Sequence, residues 1–185
     1  MLSGITDNLL LMDGLSSDGV VIHKASLLDI PFIFELLLEG AFFGSFSNSF
    51  MLPNGSIKLL FTIFKLWINQ FTWGRKSFHP KTFLILSKEK EDVGFVYLES
   101  LTHGEKKTNY LIVSLMSISK KFRNKKIGKT FIADLYKCIP PGSVMAVSCT
   151  KYSVVMQKIL RKLKFKVSKH RVVGLVEFTK TKLSV

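Results

Sequence analysis

The sequence predicts a single α/β domain, and three observations carry that reading. First, residues 110–118 are a short β-branched and aromatic run that leads directly into a basic turn, 120–129, and from there into a helical pattern. Second, residues 82–87 and 93–100 are strand-like runs joined by the charged turn Lys88-Glu89-Lys90-Glu91-Asp92, which is the pattern of a hairpin. Third, residues 143–149 form another apolar run, followed by a second set of apolar residues at three- and four-residue steps. The 185 residues, 47% of them apolar and 16 of them Phe, suffice for a substantial core.

In chain order, residues 1–18 show no clear periodicity and read as an N-terminal arm, with one domain over 19–185. Val20-Val21-Ile22-His23-Lys24 is a first strand. Ser26 or Asp29 can cap the helix that follows, with Pro31 in its first turn and Gly40 or Gly44 at its end. Residues 45–56 read as a loop in which Pro53-Asn54-Gly55 signals a turn.

Residues 57–71 are apolar on almost every side. That suits a helix packed between the sheet and something else, or a surface that meets a membrane or a partner. Lys58 and Lys65 interrupt the segment, so it falls short of the roughly 20 apolar residues of a spanning helix.

The run 110–118 reads as a central strand buried on both faces. Ile127, Phe131, Ile132, Leu135, Tyr136 and Ile139 then mark a helix, ended by Pro140-Pro141-Gly142. After the strand 143–149, Tyr152, Val155, Met156, Ile159, Leu160 and Leu163 mark another helix, and residues 165–168 and 172–179 close the chain as a hairpin. The order is strand, two helices, three strands, helix, strand, helix, two strands.

Charge and residue usage bound the function classes. A net charge of +14 implies an anionic partner, an anionic substrate, or both. Six basic residues and no acid fall within 120–129, and eight more, again with no acid, within 151–171. These clusters flank one strand pair like the walls of a site. Cys138 and Cys149 lack metal-ligand spacing and read as reduced thiols, and the four histidines are scattered. The first 12 residues carry no Lys or Arg before their apolar patch and make a poor signal peptide, so a cytoplasmic protein is expected. A glycine-containing basic turn between strand and helix points unpaired N–H groups and a helix dipole into one space, which suits a phosphate.

The element order and the turn at Arg123 resemble the GNAT superfamily of acetyl-coenzyme-A-dependent N-acetyltransferases, over roughly residues 20–180. Arg123-Asn124-Lys125-Lys126-Ile127-Gly128 is similar to the family's signature of Arg or Gln, two residues, Gly, one residue, then Gly or Ala. Lys126 stands where a Gly is usual, where it either narrows the loop or adds a cation beside the phosphates. Ile159-Leu160-Arg161-Lys162-Leu163-Lys164-Phe165 is similar to the family's Leu-Tyr-Glu-Lys-Leu-Gly-Phe junction, with Leu160 in place of the Tyr and Lys164 in place of the Gly.

The resemblance implies a mixed, mostly antiparallel sheet flanked by helices, with acetyl-CoA as acyl donor. The implied reaction is direct attack of an acceptor amine, on a small molecule or a protein, within a ternary complex. It places the coenzyme on Ile118, Arg123, Asn124, Lys125, Lys126, Ile127, Gly128, Lys129 and Thr130, with Ser153 where an Asn frequently meets the coenzyme arm. It also calls for a base and an oxyanion donor. Glu99, near the end of the preceding strand, is the candidate base, and the backbone of Ile118 the candidate donor. No general acid stands at the usual place: Tyr152 lies about two helical turns before Leu160, and Tyr136 reads as core. Two other readings follow from the same residues: a catalytically degenerate protein using its basic surface for nucleic acid or an acidic protein, and peripheral membrane association through residues 57–73.

Overall fold

Strand β1 (Val20–Lys24) leads to Ser26, which opens the helical layer. Its Oγ accepts from the Leu28 N–H (3.2 Å), while the Asp29 carboxylate accepts from the Ser26 N–H (2.6 Å). This capping box satisfies two donors that a helix start leaves unpaired. A single 3₁₀ turn (Leu27–Asp29) follows, then helix α1 (Ile30–Phe42) with Pro31 in its first turn. At the other end Gly44 adopts φ +71°, the Gly44 N–H donates to Ala41 O (3.0 Å) and the Ser45 N–H to Gly40 O (2.8 Å). That left-handed stop suits glycine.

The computed structural model describes residues 19–46, 51–72, 81–103, 108–168 and 175–183. The predicted arm 1–18 lies outside them. Helix α2 (Pro53–Thr72) precedes strands β2 (Lys81–Lys88), β3 (Glu91–His103) and β4 (Thr108–Ile118). Then come helix α3 (Ile127–Cys138), strand β5 (Val144–Thr150), helix α4 (Val154–Lys162) and strands β6 (Lys166–Val167) and β7 (Leu175–Thr181).

The seven strands form one sheet in the order β1-β2-β3-β4-β5-β7-β6. Every neighbouring pair is antiparallel except β4 and β5, which the α3 crossover makes parallel. This is the element order and mixed sheet that the sequence predicted.

Strand alternation divides the interior in two. Phe95 of β3 joins Phe83 and Ile85 of β2 against Ile33, Leu36 and Leu37 of α1 and Ile63 of α2. Val96 and Leu98 point the other way, into a larger core with Ile127, Phe131, Ile132 and Leu135 of α3, Leu160 of α4 and Phe178 of β7. Deleting a ring as buried as Phe95 or Phe178, both fully enclosed, costs about 3–5 kcal/mol.

Three expectations change. Pro53-Asn54-Gly55 is not a turn but the first turn of α2, a place that accommodates proline because its missing N–H would be unpaired anyway. The last strand runs on to Thr181 rather than ending at 179, while residues 172–174 of the expected strand and the connection from β6 lie outside the described residues. The central strand is not buried throughout. Leu111 and Val113 are enclosed, but residues 114–118 are only partly covered, because β5 leaves β4 at that point.

Candidate functional site

The separation of β4 from β5 makes the site. The two strands pair only from Tyr110 opposite Val144 to Val113 opposite Val147. Beyond that, β5 continues to Thr150 on β7, and β4 continues to Ile118 on β3. A gap therefore opens between residues 114–118 and 148–150. Its apex coincides with a bulge: Tyr97 opposes Leu115 and Leu98 opposes Val113, which leaves Ser114 as the extra residue on β4.

Ladder alternation decides which backbone groups face the gap. The Ser119 N–H donates to Val93 O (2.9 Å), toward β3. Ile118 and Met116 are thereby turned toward the gap, and the Ile118 carbonyl is met there by Arg123 Nε (2.9 Å). Gly94 permits this close pairing at the strand end. A Cβ on it would lie 2.5 Å from Ser117 O and 2.7 Å from Ile118 Cδ1.

At the mouth, the chain turns through a second 3₁₀ element (Lys120–Phe122) into α3. Asn124 and Lys126 hold φ of +65° and +62°, so the backbone keeps at Lys126 the conformation that a glycine would favour. The Lys126 side chain is exposed, so it does not fill the loop. Among the described residues, none of the backbone N–H groups of 124–129 donates a hydrogen bond, and the first helical bond comes from the Thr130 N–H to Lys126 O (3.0 Å). The cradle of free amides is therefore 124–129. Thr130 and Arg123 do not offer theirs, since the Arg123 N–H donates to Lys120 O (3.3 Å).

Arg123 instead ties the loop to the rest of the molecule, pairing through its guanidinium with Glu39 of α1 at 3.0 Å. Lys121 pairs with Glu91 at 2.8 Å, and Lys125 lies over the Phe122 ring at 4.7 Å. Lys120, Lys126 and Lys129 have no acidic partner among the described residues. Ile127 is buried and anchors the start of α3 in the core. Free amides, a helix N-terminus and unpaired ammonium groups are together suited to an anion.

The opposite lip is the junction of β5 and α4. Thr150 Oγ1 donates to Gly44 O (2.9 Å) and lies 3.1 Å from Ser153 Oγ, while Gln157 Nε2 donates to Thr150 O (3.0 Å). Ser153 thus stands on the gap's far side from the cradle, beside Thr150, which ties the end of α1 to this junction, and its own Oγ reaches Ser45 O at 3.5 Å. Gly44 is in contact there with the Tyr152 ring, 3.1 Å from where its Cβ would be.

Glu99 lies at the apex, not at an exposed strand end. It sits inside β3 opposite Ile112, accepts a hydrogen bond from Ser114 Oγ (2.8 Å) and pairs with Lys81 Nζ at 3.4 Å. Tyr97, two residues earlier, stacks on Phe83 at 4.6 Å. Its phenol is pushed well above its ordinary range, first by burial and then by the Glu99 charge.

The two residues expected to act together are thus held apart. Ile118 lies four residues beyond Ser114, about 13 Å along the strand. Leu160, where the resemblance looks for a Tyr, is fully buried in the core, and Lys164 holds φ +62°. Tyr136 is tied into structure, donating to Thr181 O (2.9 Å) with Lys180 Nζ 4.1 Å from its ring.

Sequence reasoning missed Ser114, Lys81, Met116 and Glu39, which come from separate elements and share no local motif. Gly94 alone carried a signal, because glycine inside a strand marks a bulge or a close backbone approach.

No family model and no curated protein sequence matches the chain. Solved structures do. A GNAT-family acetyltransferase from Streptococcus agalactiae is 19% identical at a TM-score of 0.67, covering 92% of this chain and 99% of its own. The PaiA N-acetyltransferase of Thermoplasma acidophilum, solved with coenzyme A, is 19% identical at a TM-score of 0.61, covering 88% and 98%. YncA of Salmonella typhimurium, solved with its cofactor acetyl-CoA, is 12% identical at a TM-score of 0.59, covering 89% and 94%. The chain has the fold of the GNAT acetyltransferases.

Proposed function

We propose that this chain, built on the GNAT fold, is a divergent acyl-CoA-dependent N-acetyltransferase, with residues 19–185 as its catalytic domain. The observation that carries the reading is the row of unpaired amides at 124–129, set at the mouth of a gap whose near wall, residues 114–118, also offers free backbone groups. Acetyl-CoA has the shape for that surface. Its pyrophosphate suits the cradle, with Lys126 and Lys129 as added cations, and its amide-bearing arm can run along β4 past Ile118 like an added strand. Ser153 bounds the other side of the arm.

The thioester then lies at the apex, beside Ser114 and Glu99. Glu99, oriented by Ser114 and Lys81, takes a proton from the acceptor amine directly or through one water. The amine nitrogen bonds to the carbonyl carbon, and the oxyanion is held by the Met116 N–H, about two residues or 7 Å along β4 from Ser114. Collapse of the oxyanion breaks the carbon–sulfur bond and releases the coenzyme thiolate. Ile118 belongs to the arm rather than to the oxyanion. A thiolate is a tolerable leaving group near neutral pH, so the missing Tyr at Leu160 slows the last step rather than forbidding it. The acceptor is an amine on a small molecule or a protein, and the reaction belongs in a reducing, cytoplasmic setting.

Leu160 favours a second reading, a coenzyme-fold protein that binds nucleic acid or an acidic protein without turnover. Calorimetric titration of acetyl-CoA at about 150 mM salt, where loose charge attraction is screened, separates the two, with Gly128→Glu as control. A Cβ on Gly128 meets Met116 Cε at 3.4 Å and Ile118 Cγ1 at 4.0 Å, both ordinary contacts, and an acid in the first turn of a helix stabilises it. The variant therefore folds while its carboxylate repels the phosphates. Micromolar binding to the wild type that vanishes in Gly128→Glu supports the enzyme. Absence of binding, with steeply salt-dependent retention of nucleic acid, supports the second reading.

A further inference from the structure

Helix α2 carries an apolar stripe that nothing in the proposed reaction uses. Ile57, Leu60, Phe61, Phe64 and Ile68 are 53%, 37%, 69%, 46% and 41% exposed. At about 100° per residue they fall within a single arc of roughly 100°. Ile63, on the flank toward the sheet, is only 2% exposed. Isolated apolar residues on a surface are ordinary, but five on one stripe mark a contact face. The chain enters the helix through Met51 and Leu52, also exposed at 49% and 62%.

The charges around the stripe select its occupant. Lys58 and Lys65 are exposed and lie two turns apart on one flank of it, and the twenty residues of Pro53–Thr72 include no Asp or Glu. A second copy docked about a two-fold axis would set lysines against lysines with no acid on the helix to pair them. A spanning role is out of reach, since no helix among the described residues is long and apolar enough to cross a membrane.

We propose that α2 lies in the interface of an anionic lipid bilayer and seats the protein on the membrane surface. The Phe61 and Phe64 rings enter the acyl boundary, and Lys58 and Lys65 extend to the headgroups. The overall charge of +14 adds a longer-ranged attraction to the same surface.

The test is flotation of the full chain with phosphatidylcholine vesicles, with and without about a third of the lipid replaced by phosphatidylserine, a composition that gives a strongly negative surface. Two paired variants are compared: Phe61→Ser with Phe64→Ser, and Lys58→Glu with Lys65→Glu. Circular dichroism and acetyl-CoA titration check that each folds, as the exposure of all four residues leads one to expect. The expected result is binding to the anionic vesicles only, weakened on the order of tenfold or more in each pair. Equal binding to both vesicle types, no binding, or undiminished binding by either folded pair overturns the proposal. Self-association in sedimentation that disappears with Phe61→Ser and Phe64→Ser, without vesicle binding, overturns it in favour of a second copy.

Discussion

Replacing Lys164 by glycine is expected to stabilise the protein, and the size of the effect follows from one backbone angle. Lys164 holds φ +62° just after α4, with its N–H on Arg161 O and the next N–H, of Phe165, on Leu160 O, both at 3.0 Å. Those bonds close the helix and leave the residue no other conformation. A side-chain-bearing residue held there costs about 1–2 kcal/mol, and glycine gives back about 0.5–1 kcal/mol in extra freedom of the unfolded chain. The net gain is about 0.5–1 kcal/mol, or roughly 1–4 °C in Tm for a domain of this size. The exposed side chain gives up no packing. Lys164→Ala keeps the Cβ and is expected to change stability by less than about 0.5 kcal/mol. Calorimetric and urea unfolding of the three proteins test this. A Lys164→Gly protein no more stable than Lys164→Ala refutes the argument. Lys126→Gly extends it to the cradle. The same left-handed angle predicts a similar gain, while loss of an exposed cation beside the phosphates weakens acetyl-CoA by about 1.5- to 5-fold.

Gly94→Ala forces a Cβ to 2.5 Å from Ser117 O, so a stability loss of about 1–3 kcal/mol is expected, seen as a lower urea midpoint at unchanged m-value. Glu99→Gln keeps the shape of the side chain but not its basicity; thiol release with an amine acceptor found by screening should fall about 10²- to 10⁴-fold, with the KM for acetyl-CoA unchanged. An unaltered rate would remove Glu99 from the reaction. Burial pushes the Cys149 thiol up to about 12 and raises Tyr97 as well, so the folded state holds these protons more tightly than the unfolded chain. Their contribution is whole below the ordinary thiol range near pH 9 and is lost as the pH climbs toward 12. Thermal melts from neutral to alkaline pH should show Tm falling above about pH 9, less steeply in Cys149→Ala.

The element order and the basic turn were legible in the chain because each depends on local signals. Ser26 and Asp29 cap a helix wherever they precede one, and the steps from Ile127 to Leu135 specify one apolar face. The left-handed angles at Lys126 and Lys164 were not legible as such, since lysine does not announce a conformation that glycine would. Nor did Pro53-Asn54-Gly55 reveal which of its two uses, turn or helix start, the neighbouring residues would select.

What the residues determined by themselves is where an anion can be held, since six consecutive amides after a strand and at a helix start are a matter of local backbone. What only the tertiary structure decided is where the proposed chemistry would be placed. Glu99, Ser114 and Lys81 belong to three strands, and they meet because a one-residue bulge at Ser114 falls where β5 turns away from β4. The same register places Ile118 about 13 Å from that point. Strand pairing is a relation between distant segments, and a slip of one residue reverses every side chain, so no single stretch of the chain could have specified that meeting.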